Sequence, residues 1–145
     1  MVGPRKRVRV VHVDDEADVL EVTGRLVETH QERTTVESVG SVEAALDRLD
    51  GTDCLVADYV MPGGDGNTFL SRVRRERPEL PVVFFTGRDV DEIDDAVLED
   101  GLTGHVQKGV SPDQYEILAA RIVDLVDAAR DGSDDPKDLG EQTSE

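Results

Sequence analysis

The chain has 145 residues, enough for one domain with a real core. Its 16 Lys and Arg face 33 Asp and Glu, and the resulting charge of -17 argues against nucleic acid as a direct partner, because phosphate backbones need basic patches. The lone Cys54 excludes an internal disulfide framework, and there is neither a run of ~18 apolar residues nor a signal-type N-terminal segment, so a cytoplasmic protein with no membrane partner is expected.

So large an acidic excess is a lever found in salt-adapted proteins, and it points to a high-salt cytoplasm, with an ordinary acidic protein as the alternative. The basic cluster Arg5, Lys6, Arg7 and Arg9 is too short to reverse the balance. Residues 1–7 read as a solvated lead-in.

Val8 to Val13 is rich in β-branched residues and predicts a buried first strand, closed by Asp14, Asp15 and Glu16. Val19, Val22, Leu26 and Val27 recur at helical spacing and predict a helix to about His30. Thr34 to Ser38 reads as a second strand. Ser41 caps a helix with Ala44, Ala45 and Leu46 inward, ended by Asp50-Gly51.

The chain is organised around the next stretch. Cys54 to Ala57 is an apolar run with the pattern of a strand buried on both faces, and it ends at an acid, Asp58, before a loop rich in Pro and Gly. An acid there lies where open parallel sheets place their chemistry, although an acid capping a turn looks the same. Cys54, in this apolar run, reads as a buried structural thiol.

Thr68 to Glu76 predicts a helix with Phe69, Leu70 and Val73 on one side, stopped by Pro78. Pro81 to Phe85 is the fourth strand, ending at Thr86-Gly87. Asp89 to Glu99 reads as an acidic helix with Ile93 and Val97 inward, ended by Gly101. Leu102 to Gln107 is a fifth strand, ending at Lys108-Gly109. Ser111-Pro112 opens the last helix, lined by Tyr115, Leu118, Ile122, Leu125 and Val126. Residues 131–145 have almost nothing to bury and read as an acidic disordered tail or linker.

Five strands alternating with five helices predict a doubly wound α/β domain over residues 8–130. In such a sheet the ends of strands one, three, four and five converge on one edge, bringing together Asp14, Asp15, Asp58, Thr86 and Lys108.

Val-Asp-Asp-Glu at 13–16, Asp58 with Met-Pro-Gly-Gly-Asp-Gly at 61–66, Phe-Thr-Gly at 85–87 and Gly-His-Val-Gln-Lys at 104–108 resemble the response-regulator receiver domain. The resemblance covers about Val8 to Arg130, and its closest flavour is the receivers of halophilic archaea. It implies a flavodoxin-like three-layer sandwich around a five-stranded parallel sheet of order 2-1-3-4-5. It also implies a phosphoacceptor of a two-component or phosphorelay system, not an enzyme, in which Asp58 takes a phosphoryl group from a histidine kinase.

By the same resemblance Asp15 and Asp58 ligate Mg²⁺ directly, Asp14 ligates it through water and the backbone carbonyl of Val60 completes the protein share. The physical roles fit. Three acids at one edge repel unless a cation is present, and a hard divalent ion takes oxygen ligands. Lys108 supplies a point charge and Thr86 a hydroxyl for the phosphoryl oxygens, where elsewhere they would be a surface lysine and a strand-end residue. Phosphorylation then moves Thr86 and the side chain at 105, and changes the face of the fourth helix, fifth strand and fifth helix. That face would meet an unknown downstream protein or a second copy in a homodimer.

The sequence departs from the family at four positions. His105 stands where an aromatic is usual, Gly109 replaces a proline, and Val60 and Arg88 occupy positions that tune hydrolysis. His12, polar within a central strand, reads as a satisfied core histidine rather than a metal ligand. Two other readings remain. A Mg²⁺-dependent aspartyl-phosphate phosphatase would carry Asp-x-Asp after strand one, and a pseudo-receiver would bind partners without phosphorylation.

Overall fold

The computed structural model describes residues 7–61, 64–87, 90–109 and 112–134. Strand β1 (Val8–Val13) leads to helix α1 (Ala17–His30), β2 (Thr34–Val39), α2 (Val42–Leu46) and β3 (Cys54–Ala57). A small antiparallel pair, β4 (Val60–Met61) and β5 (Gly64–Asp65), occupies part of what reads in the sequence as a plain glycine loop. Then come α3 (Gly66–Glu76), β6 (Val82–Thr86), a 3₁₀ turn (Val90–Glu92), α4 (Asp95–Leu98), β7 (Thr103–Gln107) and α5 (Gln114–Asp134).

The main sheet has the order β2-β1-β3-β6-β7 and every pairing in it is parallel. Counting only its five strands, this is the expected 2-1-3-4-5, a doubly wound flavodoxin-like sheet. Side chains alternate across it with period two. On one face Val11, Val13, Leu55, Ala57, Val82 and Phe84 pack with Phe69, Leu70 and Val73 of α3 and with Ile93 and Val97. On the other, Val8, Val10, Cys54, Val56, Val83 and Phe85 pack with Val27 of α1 and Leu118 and Ile122 of α5. Because both faces are covered, β3 is apolar throughout and fully buried.

Four expectations are corrected. The helix after Ser41 stops at Leu46 rather than at Asp50. Arg48 N–H bonds the Ala45 carbonyl at 3.0 Å, three residues back, and tightens the chain into a turn that seats Leu49 in the core. The acidic helix expected over 89–99 is broken into the 3₁₀ turn and one turn of α4. Asp94 lies between them with extended ψ, and its carboxylate caps Ala96 N–H at 2.8 Å. An Asp that bonds the local backbone competes with helix continuation, and like charges at Asp91, Asp94 and Asp95 add repulsion.

The last helix begins at Gln114, where Ile117 N–H bonds the Asp113 carbonyl at 2.9 Å, and it runs to Asp134, past the expected end at 130. Ser111, the expected cap, lies outside the described residues, as do Arg88, Asp89 and residues 135–145. Arg7, assigned to the solvated lead-in, instead reaches β2: its guanidinium donates to the Glu32 carbonyl at 2.8 Å and to Thr35 Oγ1 at 2.7 Å.

Candidate functional site

Register places the site. Val13 pairs with Ala57 and Ala57 with Phe84, so Asp14 and Asp58 follow paired residues at the same edge. Thr86 pairs with Gln107, which brings Lys108 one residue beyond it. The amide of Lys108 donates to the Thr86 carbonyl at 2.7 Å and sets the lysine's starting point.

From there Nζ of Lys108 reaches Oδ2 of Asp14 at 3.1 Å and Oδ2 of Asp58 at 3.2 Å. The other oxygen of Asp58, Oδ1, accepts the Thr86 hydroxyl at 2.7 Å and the Val60 N–H at 3.2 Å. Oδ1 of Asp14 accepts the Glu16 N–H at 3.0 Å. Asp14 is only 1% exposed and Thr86 is equally buried, while about a fifth of the Asp58 side chain meets solvent. Asp58 is therefore the acid a ligand can approach, over an open depression lined by Asp58, Val60, Thr86, Gly87 and Glu92.

Burial works against the charge on Lys108, but Asp58 and Asp14 outweigh it and hold the ammonium above the ordinary lysine range. His12 shows the opposite balance. Its ring is 1% exposed, and desolvation lowers its pKa to about 4 despite Asp14 and Asp58 nearby, with Lys108 lowering it further. It is a core histidine, as expected, but not a satisfied one: Nδ1 has no hydrogen-bond partner among the described residues. Burial likewise pushes the Cys54 thiol far up, as suits a structural cysteine.

Asp14, Asp58, Thr86 and Lys108 are thus brought together as the sequence suggests. Asp15 is exposed beside them. The acids at this edge and the main-chain carbonyls offer only hard oxygen donors, which suit Mg²⁺. No three His, Cys, Asp or Glu side chains converge on one point among the described residues; Lys108 bridges two carboxylates instead. The donor set fits the ion in kind, with the exposed Asp15 free of the Lys108 bridge. Val60 stands at the rim, 46% exposed.

His105 is half-buried on β7, paired in register with Phe84. Gly104 approaches Arg121 and Leu125 of α5, so alternation turns His105 to the sheet face that carries α3 and α4. Tyr59 lies on that face too. Its ring meets Phe84 edge-on at 5.4 Å, and its hydroxyl accepts the Asp94 N–H at 3.1 Å.

Sequence reasoning missed Glu92, which reaches the depression only because the 3₁₀ turn folds over it. It also missed the packing role of Gly66, which reads in the sequence only as part of the loop rich in Pro and Gly after Asp58. A Cβ on Gly66 would lie 2.3 Å from Tyr59 Cδ1 and 2.8 Å from Phe84 Cε1. The signal for both was weak, because each depends on contacts across strands.

Residues 10–120 match the family model described as the response regulator receiver domain. The chain is 30% identical over 118 residues to the phosphate regulon transcriptional regulatory protein PhoB of Escherichia coli (strain K12), an alignment that covers 79% of this chain and 49% of that protein. The two-component response regulator ORR6 of Oryza sativa subsp. japonica is 28% identical over 125 residues, covering 81% of this chain and 72% of the relative. The chain spans about half the length of several curated relatives it matches. Among solved structures, a CheY-like receiver domain protein from Methanospirillum hungatei JF-1 superposes with a TM-score of 0.73 at 20% identity, over 87% of this chain and 98% of that one. The signal receiver domain of an HD domain-containing protein from Pseudomonas fluorescens Pf-5 gives 0.75 at 19% identity, over 93% and 98%.

Proposed function

This chain belongs to the response-regulator receiver domain family, and from that premise we propose that it is a phosphoacceptor whose Asp58 takes a phosphoryl group from a histidine kinase. The observation that carries the reading is the state of the Asp58 carboxylate: a hydroxyl donor on one oxygen, an ammonium on the other, and an open approach.

One oxygen of Asp58 attacks phosphorus, the bond from phosphorus to the donor breaks, and an acyl phosphate remains on Asp58. Attack of an anion on an anion needs positive charge at the site. Lys108 supplies it, and it is already desolvated enough for its field to count. The Thr86 hydroxyl is placed to turn from the carboxylate to a phosphoryl oxygen. Asp15, Asp58, the Val60 carbonyl and, through water, Asp14 would hold Mg²⁺, which when bound neutralises charge on the transferring group. The phosphoryl group adds roughly -1.5 to -2 charges. That change biases Thr86, His105 and the face of α4, β7 and α5 toward a downstream protein or a second copy of the chain. The domain acts as a signalling phosphoacceptor rather than as an enzyme on an outside substrate, and the acidic surface is an adaptation to high salt.

The test is the intact mass after incubation with acetyl phosphate and Mg²⁺ at high salt, beside Asp58→Asn. Gain of one phosphoryl group in the parent alone supports the proposal. A folded parent that binds Mg²⁺ yet gains nothing, even with its kinase, would leave a protein-interaction module that works without phosphorylation.

A further inference from the structure

Lys108 carries the positive charge of the site, and the residue after it is a glycine in the left-handed region, Gly109 at φ +86°. Proline, fixed near -65°, does not fit there. The amide of Gly109 donates to Oε1 of Gln114 at 2.8 Å. Gln114 is the first residue of α5. A proline at 109 has no N–H and could not make this bond, so the glycine and the glutamine work as a pair.

On its other side the amide of Lys108 is held by the Thr86 carbonyl at 2.7 Å. The backbone of the lysine is therefore clamped between the end of β6 and the first turn of α5. The next residue of that turn supports the side chain. Tyr115 packs on Phe85 with ring centroids 5.7 Å apart, and Nζ of Lys108 lies 5.6 Å from the centroid of the same Phe85 ring. That distance is within cation–π reach.

We propose that Gln114 is a positioning residue for phosphoryl transfer: its side-chain carbonyl anchors Gly109 to α5 and so holds Lys108 across Asp14 and Asp58. The role rests on the phosphoacceptor reading of Asp58. Gln114 acts through the 108–109 backbone rather than on the carboxylates, so its effect is on the rate of transfer and on local order, not on the fold.

The experiment compares the parent chain with Gln114→Leu, which removes the acceptor, and Gln114→Glu, which keeps it at the same reach. Three quantities are read: the rate of mass gain from acetyl phosphate with Mg²⁺, the ¹⁵N order parameters of Lys108 and Gly109, and Tm. In Gln114→Leu the rate falls about fivefold, the worth of one ordinary hydrogen bond. The order parameters drop from ~0.85 toward ~0.6, while Tm stays within about 3 °C. Gln114→Glu restores both rate and order. A leucine variant with parental rate and order overturns the role of Gln114. So does a loss that tracks Tm equally in both variants, which would mark a purely structural residue. A parent that gains no mass overturns the phosphoacceptor reading itself and the transfer role with it.

Discussion

Lys108 meets Asp14, a carboxylate sealed from solvent, and Asp58, one that is not, at nearly equal distances of 3.1 and 3.2 Å. Replacing it by methionine would leave Asp14 buried and unpaired. Without divalent ions, Lys108→Met should cost roughly 2 kcal/mol in urea unfolding, less than for a fully enclosed pair because Lys108 is itself partly exposed. His12 sets a pH dependence. Its folded pKa of about 4 lies below the ordinary 6.5, so between these values the unfolded chain binds the extra proton. This contribution is fully present above pH 6.5 and is lost as pH falls to about 4, amounting to roughly 3 kcal/mol. His12→Leu should flatten the fall in Tm between pH 7 and 4.5; an unchanged slope would show that the carboxylates alone drive acid unfolding. Val60, apolar at the rim of the depression, should hinder the attacking water, so Val60→Asn should shorten the phosphoryl lifetime several-fold when free phosphate release is followed.

The elements on the α3–α4 side meet around two residues that patterning could not rank. Gly66 admits the buried rings of Tyr59 and Phe84 where any side chain would collide with them. Gly66→Ala should cost about 2–4 kcal/mol, measured by chemical unfolding, because neither ring has space to retreat. Tyr59 then ties the segment after Asp58 to α4 by accepting the Asp94 amide. Periodicity in Ile93 and Val97 was legible and both are buried. The break at Asp94 was not, because besides its local cap on Ala96 it is fixed by the Tyr59 hydroxyl, which takes the Asp94 N–H from 35 positions earlier. Tyr59→Phe should speed amide exchange of Asp94 at little cost in global stability, on the order of 1 kcal/mol.

At the scale of the molecule, a net charge of -17 makes self-repulsion a general load on the folded state. Salt screens it, since the Debye length shrinks from about 10 Å at 0.1 M to about 3 Å at 1 M. Tm should therefore rise between 0.1 and 2 M KCl. A fall would mean that screening of pairs such as Arg33–Asp127 and Arg74–Asp100, both close to 2.9 Å, outweighs relief of repulsion. Among the described residues no helix is long and apolar enough to cross a membrane.

The order of the five main strands, the two buried faces and the polar residues that follow strands one, three, four and five were determined by the sequence alone. Side-chain period is a local property, and in a parallel sheet the ends of these strands must share one edge. Which of those residues touch was decided only in three dimensions. Lys108 reaches Asp14 across 94 residues, whereas Asp15, beside Asp14 in the chain, stays exposed. Nothing in the sequence pairs Gln114 with Gly109, and only the left-handed turn at Gly109 aims an amide at it. Hydrogen-bond partners are chosen by distances of about 3 Å between separate elements, and those distances exist only after the sheet has set its register and the helices have packed on it.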